Sequence, residues 1–91
     1  MIHSLKIWPQ YFKEIIDGEK TFEYREDDRG YSEGDIIILN EYFPTTKTYS
    51  GKSTYHRAGY ILRVNGYAII SLLKLTEAQK SHIYKLSIAP K

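Results

Sequence analysis

Apolar residues recur along this chain with two different periods, and the changes of period divide it into elements. Residues 2–7, Ile-His-Ser-Leu-Lys-Ile, alternate as a short strand does, with His3, Leu5 and Ile7 on one face. From Trp8 the spacing lengthens. Trp8, Tyr11, Phe12, Ile15 and Ile16 fall at i, i+3, i+4, i+7 and i+8, which predicts a helix over 9–17 with one apolar face. Pro9 suits its first turn, where a missing N–H costs nothing, and Gly18 suits its left-handed end. Residues 20–25 return to period two, with Thr21, Glu23 and Arg25 on one face and Phe22 and Tyr24 on the other.

A polar loop from Glu26 to Glu33 leads through Gly34-Asp35 into residues 35–43. There Ile36, Ile37, Ile38 and Leu39 run without alternation, which predicts a strand covered on both faces. Pro44 to Gly51 reads as a hairpin connection longer than a tight turn, followed by a strand of mixed polarity over 52–63. Asn65-Gly66 is a hairpin signal before the apolar strand Tyr67–Leu73, so 35–75 reads as an antiparallel meander. Thr76, with Gln79 three residues on, forms a capping box for a short final helix. The tail carries Lys74, Lys80, His82, Lys85 and Lys91, a solvated basic end or a contact for an anionic partner. Five strands and one crossover helix in so short a chain predict an α+β or mainly β fold, a strongly bent antiparallel sheet or partly open barrel.

Composition narrows the class. Ninety-one residues, 42% hydrophobic and 26% charged, read as one domain over 1–91 with a single core. Absence of cysteine excludes disulfides and thiolate metal sites and fits a reducing compartment. No apolar run approaches a membrane span and the N-terminus lacks a signal peptide's apolar core, so the expectation is a cytoplasmic protein without membrane contact. A formal charge of +2 argues against a histone-like grip on nucleic acid. Nine tyrosines are more than so small a core hides, and exposed ones either populate strands or stack on bases.

The charged run around Gly18–Arg25 is where chemistry concentrates. Glu23 and Arg25, two apart on one strand face, are able to pair with each other or to share a ligand, and the Lys20 stem folds over the same face. A solvated, self-neutralising edge strand accounts for the same residues. Lys20 suits a phosphate or a carboxylate, Arg25 offers a planar fork for phosphate, and Glu23 accepts hydrogen bonds or serves as a base. Tyr31 is the aromatic expected to contact a base, and Asp28-Arg29 either joins the cleft or fixes the loop. Histidines 3, 56 and 82 show no metal spacing, so neither a metal nor another cofactor is expected.

Gly18-x-Lys20-x-x-Glu23-x-Arg25, following a helix opened by Pro9, resembles the G-x-K-x-x-E-x-R signature of ASCH domains in the PUA-like superfamily. Leu5-Lys6-Ile7, Pro9, Tyr11-Phe12, Asp28-Arg29, Gly34-Asp35 and Gly66-Tyr67 extend the likeness to a short bacterial and phage branch, from residue 3 to about 73. The resemblance implies a small PUA-like β-barrel with one helix after the first strand and a short C-terminal helix. It also implies a cleft lined by Lys20, Glu23, Arg25 and Arg29 that binds RNA or a nucleotide, single-stranded or modified. One branch of the family deacetylates N4-acetylcytidine with a Lys–Thr–Glu set. Lys20 matches its lysine, Glu23 stands at its threonine, and Thr21 lies one strand period away. Were this chain such an amidohydrolase, Lys20 and Glu23 would be its catalytic residues. Other relatives are ribonucleases that depend on a metal.

Overall fold

Alternation at the N-terminus becomes β1 (Ile2–Ile7), with His3, Leu5 and Ile7 buried, in a computed structural model that describes residues 1–88 and side chains as far as Leu86. The period change at Trp8 becomes α1 (Pro9–Ile16), whose first turn is closed by the Phe12 N–H donating to the Trp8 carbonyl at 2.9 Å. Only Phe12 and Ile15 of the expected stripe are buried. Trp8, Tyr11 and Ile16 remain 49%, 43% and 59% exposed. An eight-residue helix crossing a curved sheet presents a single line of side chains to it, so the flanks of the stripe stay outside.

Strands β2 (Phe22–Glu26), β3 (Ile36–Phe43), β4 (Thr48–Val64) and β5 (Tyr67–Leu73) complete one five-stranded sheet in the order β1-β3-β4-β5-β2. The meander β3-β4-β5 is antiparallel, as its hairpins require, and β2 adds antiparallel to β5. The sheet is mixed, however, because β1 and β3 run parallel. After β1 the chain passes through α1, crosses to the far edge as β2 and returns through residues 27–35, a connection long enough for a parallel pair.

The sheet curls into a half-barrel whose two edge strands, β1 and β2, approach each other. Side chains bridge them. Arg25 of β2 donates to the Lys6 carbonyl of β1 at 2.9 Å, and Arg29 reaches the Ser4 carbonyl at 3.4 Å. Inside lie Leu5, Ile7, Phe12, Ile15, Tyr31, Ile37, Leu39, Ala58, Ala68 and Ile70. Burying one large apolar side chain of this set contributes about 1.5–3 kcal/mol.

Between β3 and β4 the connection is shorter than expected. Tyr42 pairs with Tyr49 and Phe43 with Thr48, so only 44–47 turn and Thr48–Gly51 belong to β4. The Tyr42 and Tyr49 rings meet edge-on at 5.0 Å, and this aromatic contact extends the pairing toward the turn. The 17-residue β4 bends at a register shift between Ala58 and Ile61. Gly59 sits at this bend, where a Cβ would come within 2.8 Å of Leu73 Cδ1. Asn65 and Gly66 both have positive φ, 51° and 80°, the paired signature of a two-residue hairpin turn.

After β5 the chain enters α2 (Glu77–Ile88) through the expected capping box. The Thr76 N–H donates to Gln79 Oε1 at 3.0 Å, and the Gln79 N–H donates to Thr76 Oγ1 at 3.1 Å. Gln79 Nε2 also donates to the Gly34 carbonyl at 2.9 Å, which anchors the helix to the turn that precedes β3. Most α2 side chains face solvent, and Lys91 lies outside the described residues. Among the described residues no helix is long and apolar enough to cross a membrane.

Candidate functional site

Alternation along β2 turns Glu23 inward, opposite the fully buried Ile70 of β5, and leaves Glu23 only 4% exposed. A carboxylate withdrawn from water to that extent needs charged partners. It has two, one on each oxygen. Lys20 Nζ lies 2.9 Å from Oε1, and Arg25 Nη1 lies 2.8 Å from Oε2. Lys20 is positioned by the end of α1, where its N–H donates to the Glu14 carbonyl at 3.1 Å. Its ammonium also sits 5.4 Å and 5.6 Å from the ring centres of Tyr11 and Phe22, within cation–π range. Arg25 makes its bonds to Glu23 and Lys6 through Nη1 alone. Its Nε and Nη2 have no hydrogen-bond partner among the described residues.

Above this trio opens a cleft of about 630 Å³. Cations Lys6, Lys20, Arg25 and Arg29 line it together with carboxylates Glu23, Glu26 and Asp28. Its apolar wall comes from Ile7, Trp8, Tyr11, Tyr24 and Tyr67. The aromatics form two stacked pairs. Trp8 and Tyr11 have ring centres 6.4 Å apart, and Tyr24 and Tyr67 lie 5.2 Å apart and nearly parallel at 8°. Such a cleft suits a planar, polar ligand, with ring faces available for stacking and a charged floor for its edge.

Lys20, Glu23, Arg25 and Arg29 are thus brought together as the sequence suggests. Two expectations are corrected. Tyr31 is not in the cleft wall: it is 1% exposed, its ring meets His3 edge-on at 4.8 Å, and Arg63 holds its backbone carbonyl. Its hydroxyl has no partner among the described residues, and burial pushes the hydroxyl's pKa above the usual value. The polar loop folds back against β1 here, which converts an aromatic expected at the surface into core. Thr21 precedes the start of β2, is exposed, and does not line the cleft.

Sequence reasoning missed the aromatic wall. Trp8 and Tyr11 read as packing residues, yet a two-turn helix carrying four large apolar residues directly after Trp8 was the available sign that some would face outward. Tyr67 and Lys6 stand in the pattern that carries the ASCH likeness, but their neighbours do not place them in the cleft, which they join only when β5 and β1 come beside β2.

Beside the core, His3 Nε2 lies 2.8 Å from Asp35 Oδ2, which also accepts the Ser32 N–H at 2.9 Å, and the terminal amine reaches Oδ1 at 3.1 Å. Burial works against the Asp35 carboxylate, but these bonds outweigh it and hold its pKa below the ordinary value. On β4, His56 Nε2 lies 2.9 Å from Thr54 Oγ1. Burial depresses its pKa, partly opposed by the charge of Glu23. Among the described residues no group of three or more histidine, aspartate or glutamate side chains is arranged to hold a metal ion.

Comparison with known proteins gives two matches. A family model described as a domain of unknown function, DUF3850, matches residues 2–73, which takes in α1 and all five strands and stops short of α2. An uncharacterised 12.9 kDa protein in the GpA 3′ region of Escherichia phage P2 is 42% identical over 41 residues. That stretch covers 45% of this chain and 38% of the phage protein.

Proposed function

The chain belongs to the DUF3850 family, whose description states no activity, and we propose that its cleft binds single-stranded RNA or a nucleotide. One observation carries the reading: the Lys20–Glu23–Arg25 trio lines the same cleft as two stacked aromatic pairs. Rings offer stacking surface to a base, the floor offers hydrogen bonds to its edge, and the exposed Arg29 stands ready for a phosphate. The ASCH-like order of Gly18, Lys20, Glu23 and Arg25 supports the same reading by resemblance. Deacetylation of N4-acetylcytidine fits less well. A hydrolytic route needs a nucleophile or an activated water beside Lys20. Among the described residues no serine, threonine or cysteine lines the cleft, and Glu23, the base that would activate a water, has each oxygen engaged by a cation.

Titration of labelled single-stranded RNA against salt tests the proposal. Few phosphate contacts imply a shallow dependence, a slope of about −0.7 in log affinity against log salt for each phosphate engaged. Arg29→Ala should reduce that slope by about one such step and leave the thermal midpoint in place. Absence of binding even at low salt would remove the reading.

A further inference from the structure

Along the floor of the cleft the hydrogen-bonding groups follow a symmetric order: donor, acceptor, donor. Lys20 stands at one end, bonded to Glu23 Oε1, and Arg25 at the other, bonded to Oε2. Each still has capacity for a ligand. An ammonium carries three donors and Lys20 uses one on Glu23, while Arg25 keeps Nε and Nη2 without a partner among the described residues. An ionised carboxylate has about four acceptor positions, of which Glu23 fills two within the protein. Glu23 is a charged side chain that is nine-tenths buried, and it still lines the cleft.

Resting on the nucleotide reading above, we propose that this floor selects an imide-edged pyrimidine, uracil above all. The uracil edge presents a carbonyl, an N3–H and a second carbonyl. That order complements the floor, and because both orders are symmetric the ring fits either way round. Cytosine sets its amine against one of the cations and the bare lone pair of its N3 against the Glu23 carboxylate. Adenine brings the same two conflicts. Guanine matches at its carbonyl and N1–H, then places an amine against the remaining cation. A mismatch here sets like against like beside a buried charge, a donor against a cation or a lone pair against the carboxylate, so discrimination exceeds the value of the bond that is lost.

The test uses wild-type protein and short single-stranded homopolymers of uridine, cytidine, adenosine and 3-methyluridine, read by fluorescence anisotropy at low salt. Uridine strands should bind about tenfold more tightly than cytidine or adenosine strands. Methylation at N3, which replaces the central donor and leaves the stacking face, should bring affinity down to the cytidine level. Glu23→Gln should shrink the uridine-to-cytidine ratio toward one. Because that variant also weakens the buried ion pairs, the ligand series stands as a test without it. Equal affinity for uridine and cytidine strands, or undiminished binding of the methylated strand, overturns the imide assignment and leaves the cleft a nucleotide site. If no strand binds, the nucleotide reading fails and the selectivity fails with it.

Discussion

Replacing Glu23 by alanine separates the contribution of burial from that of distance. The side chain is 5% exposed and bonds to Lys20, at 15%, and to Arg25, at 26%. Truncation leaves two cations side by side, largely withdrawn from water, with their common counter-charge gone. Removing one partner of a fully buried ion pair costs about 3–5 kcal/mol, and the partial exposure of both cations places this case near the lower bound, about 3 kcal/mol. For a chain of this size each kcal/mol moves the thermal midpoint by about 4–8 °C, so Glu23→Ala should melt about 12–24 °C lower. Lys13→Ala is the internal control. Its bond to Asp17 is shorter, 2.6 Å, but the lysine is 78% exposed, and its loss should leave the midpoint within experimental scatter. Differential scanning calorimetry on both variants reads the contrast. A Glu23→Ala midpoint equal to that of wild type would refute the argument, since the buried trio would then contribute nothing to holding β2 against α1 and β1.

Acidification should destabilise the fold in two separate windows. His56 has a folded pKa below its ordinary 6.5, so the unfolded chain takes up a proton that the folded one resists, and stability falls as pH drops from about 6.5 through the folded value. Asp35 has a folded pKa below 3.8, so the stability from its bonds is full above 3.8 and is lost as pH falls through the folded value. Urea midpoints between pH 8 and pH 2 read both windows, and a His56→Gln variant that keeps the upper step would exclude His56 as its source. Gly66→Ala adds a methyl that meets no atom within 4 Å, so its cost is backbone strain at φ 80° alone, about 1–2 kcal/mol. A thermal midpoint equal to that of wild type would contradict that origin.

What the sequence made legible is what neighbouring residues decide. Asn65-Gly66 names its own turn, Thr76 and Gln79 name their own cap, and the β2 alternation places Glu23 and Arg25 together because a strand allows no other arrangement. What it hid depends on partners far along the chain. Nothing near Ile2 states that β1 pairs with β3 in parallel, since that pairing is settled by the path through α1 and β2. Tyr31 reads as a loop aromatic until the loop closes over His3. Arg25 reads as the partner of Glu23. Its second bond, to the Lys6 carbonyl, exists only because a curled sheet brings its two edges together.

That second bond has a bearing on how the protein behaves in concentrated solution. A free strand edge is a template for another chain, and soluble proteins blunt such edges with charge or cover. Here the cover for β1 comes from the cleft itself, with Arg25 on the Lys6 carbonyl and Arg29 on the Ser4 carbonyl. The same two side chains line the cleft and occupy carbonyls of the β1 edge. A substitution at either position that reshapes the cleft therefore also uncovers part of the β1 edge, and such variants will differ in colloidal stability even where their melting temperatures agree.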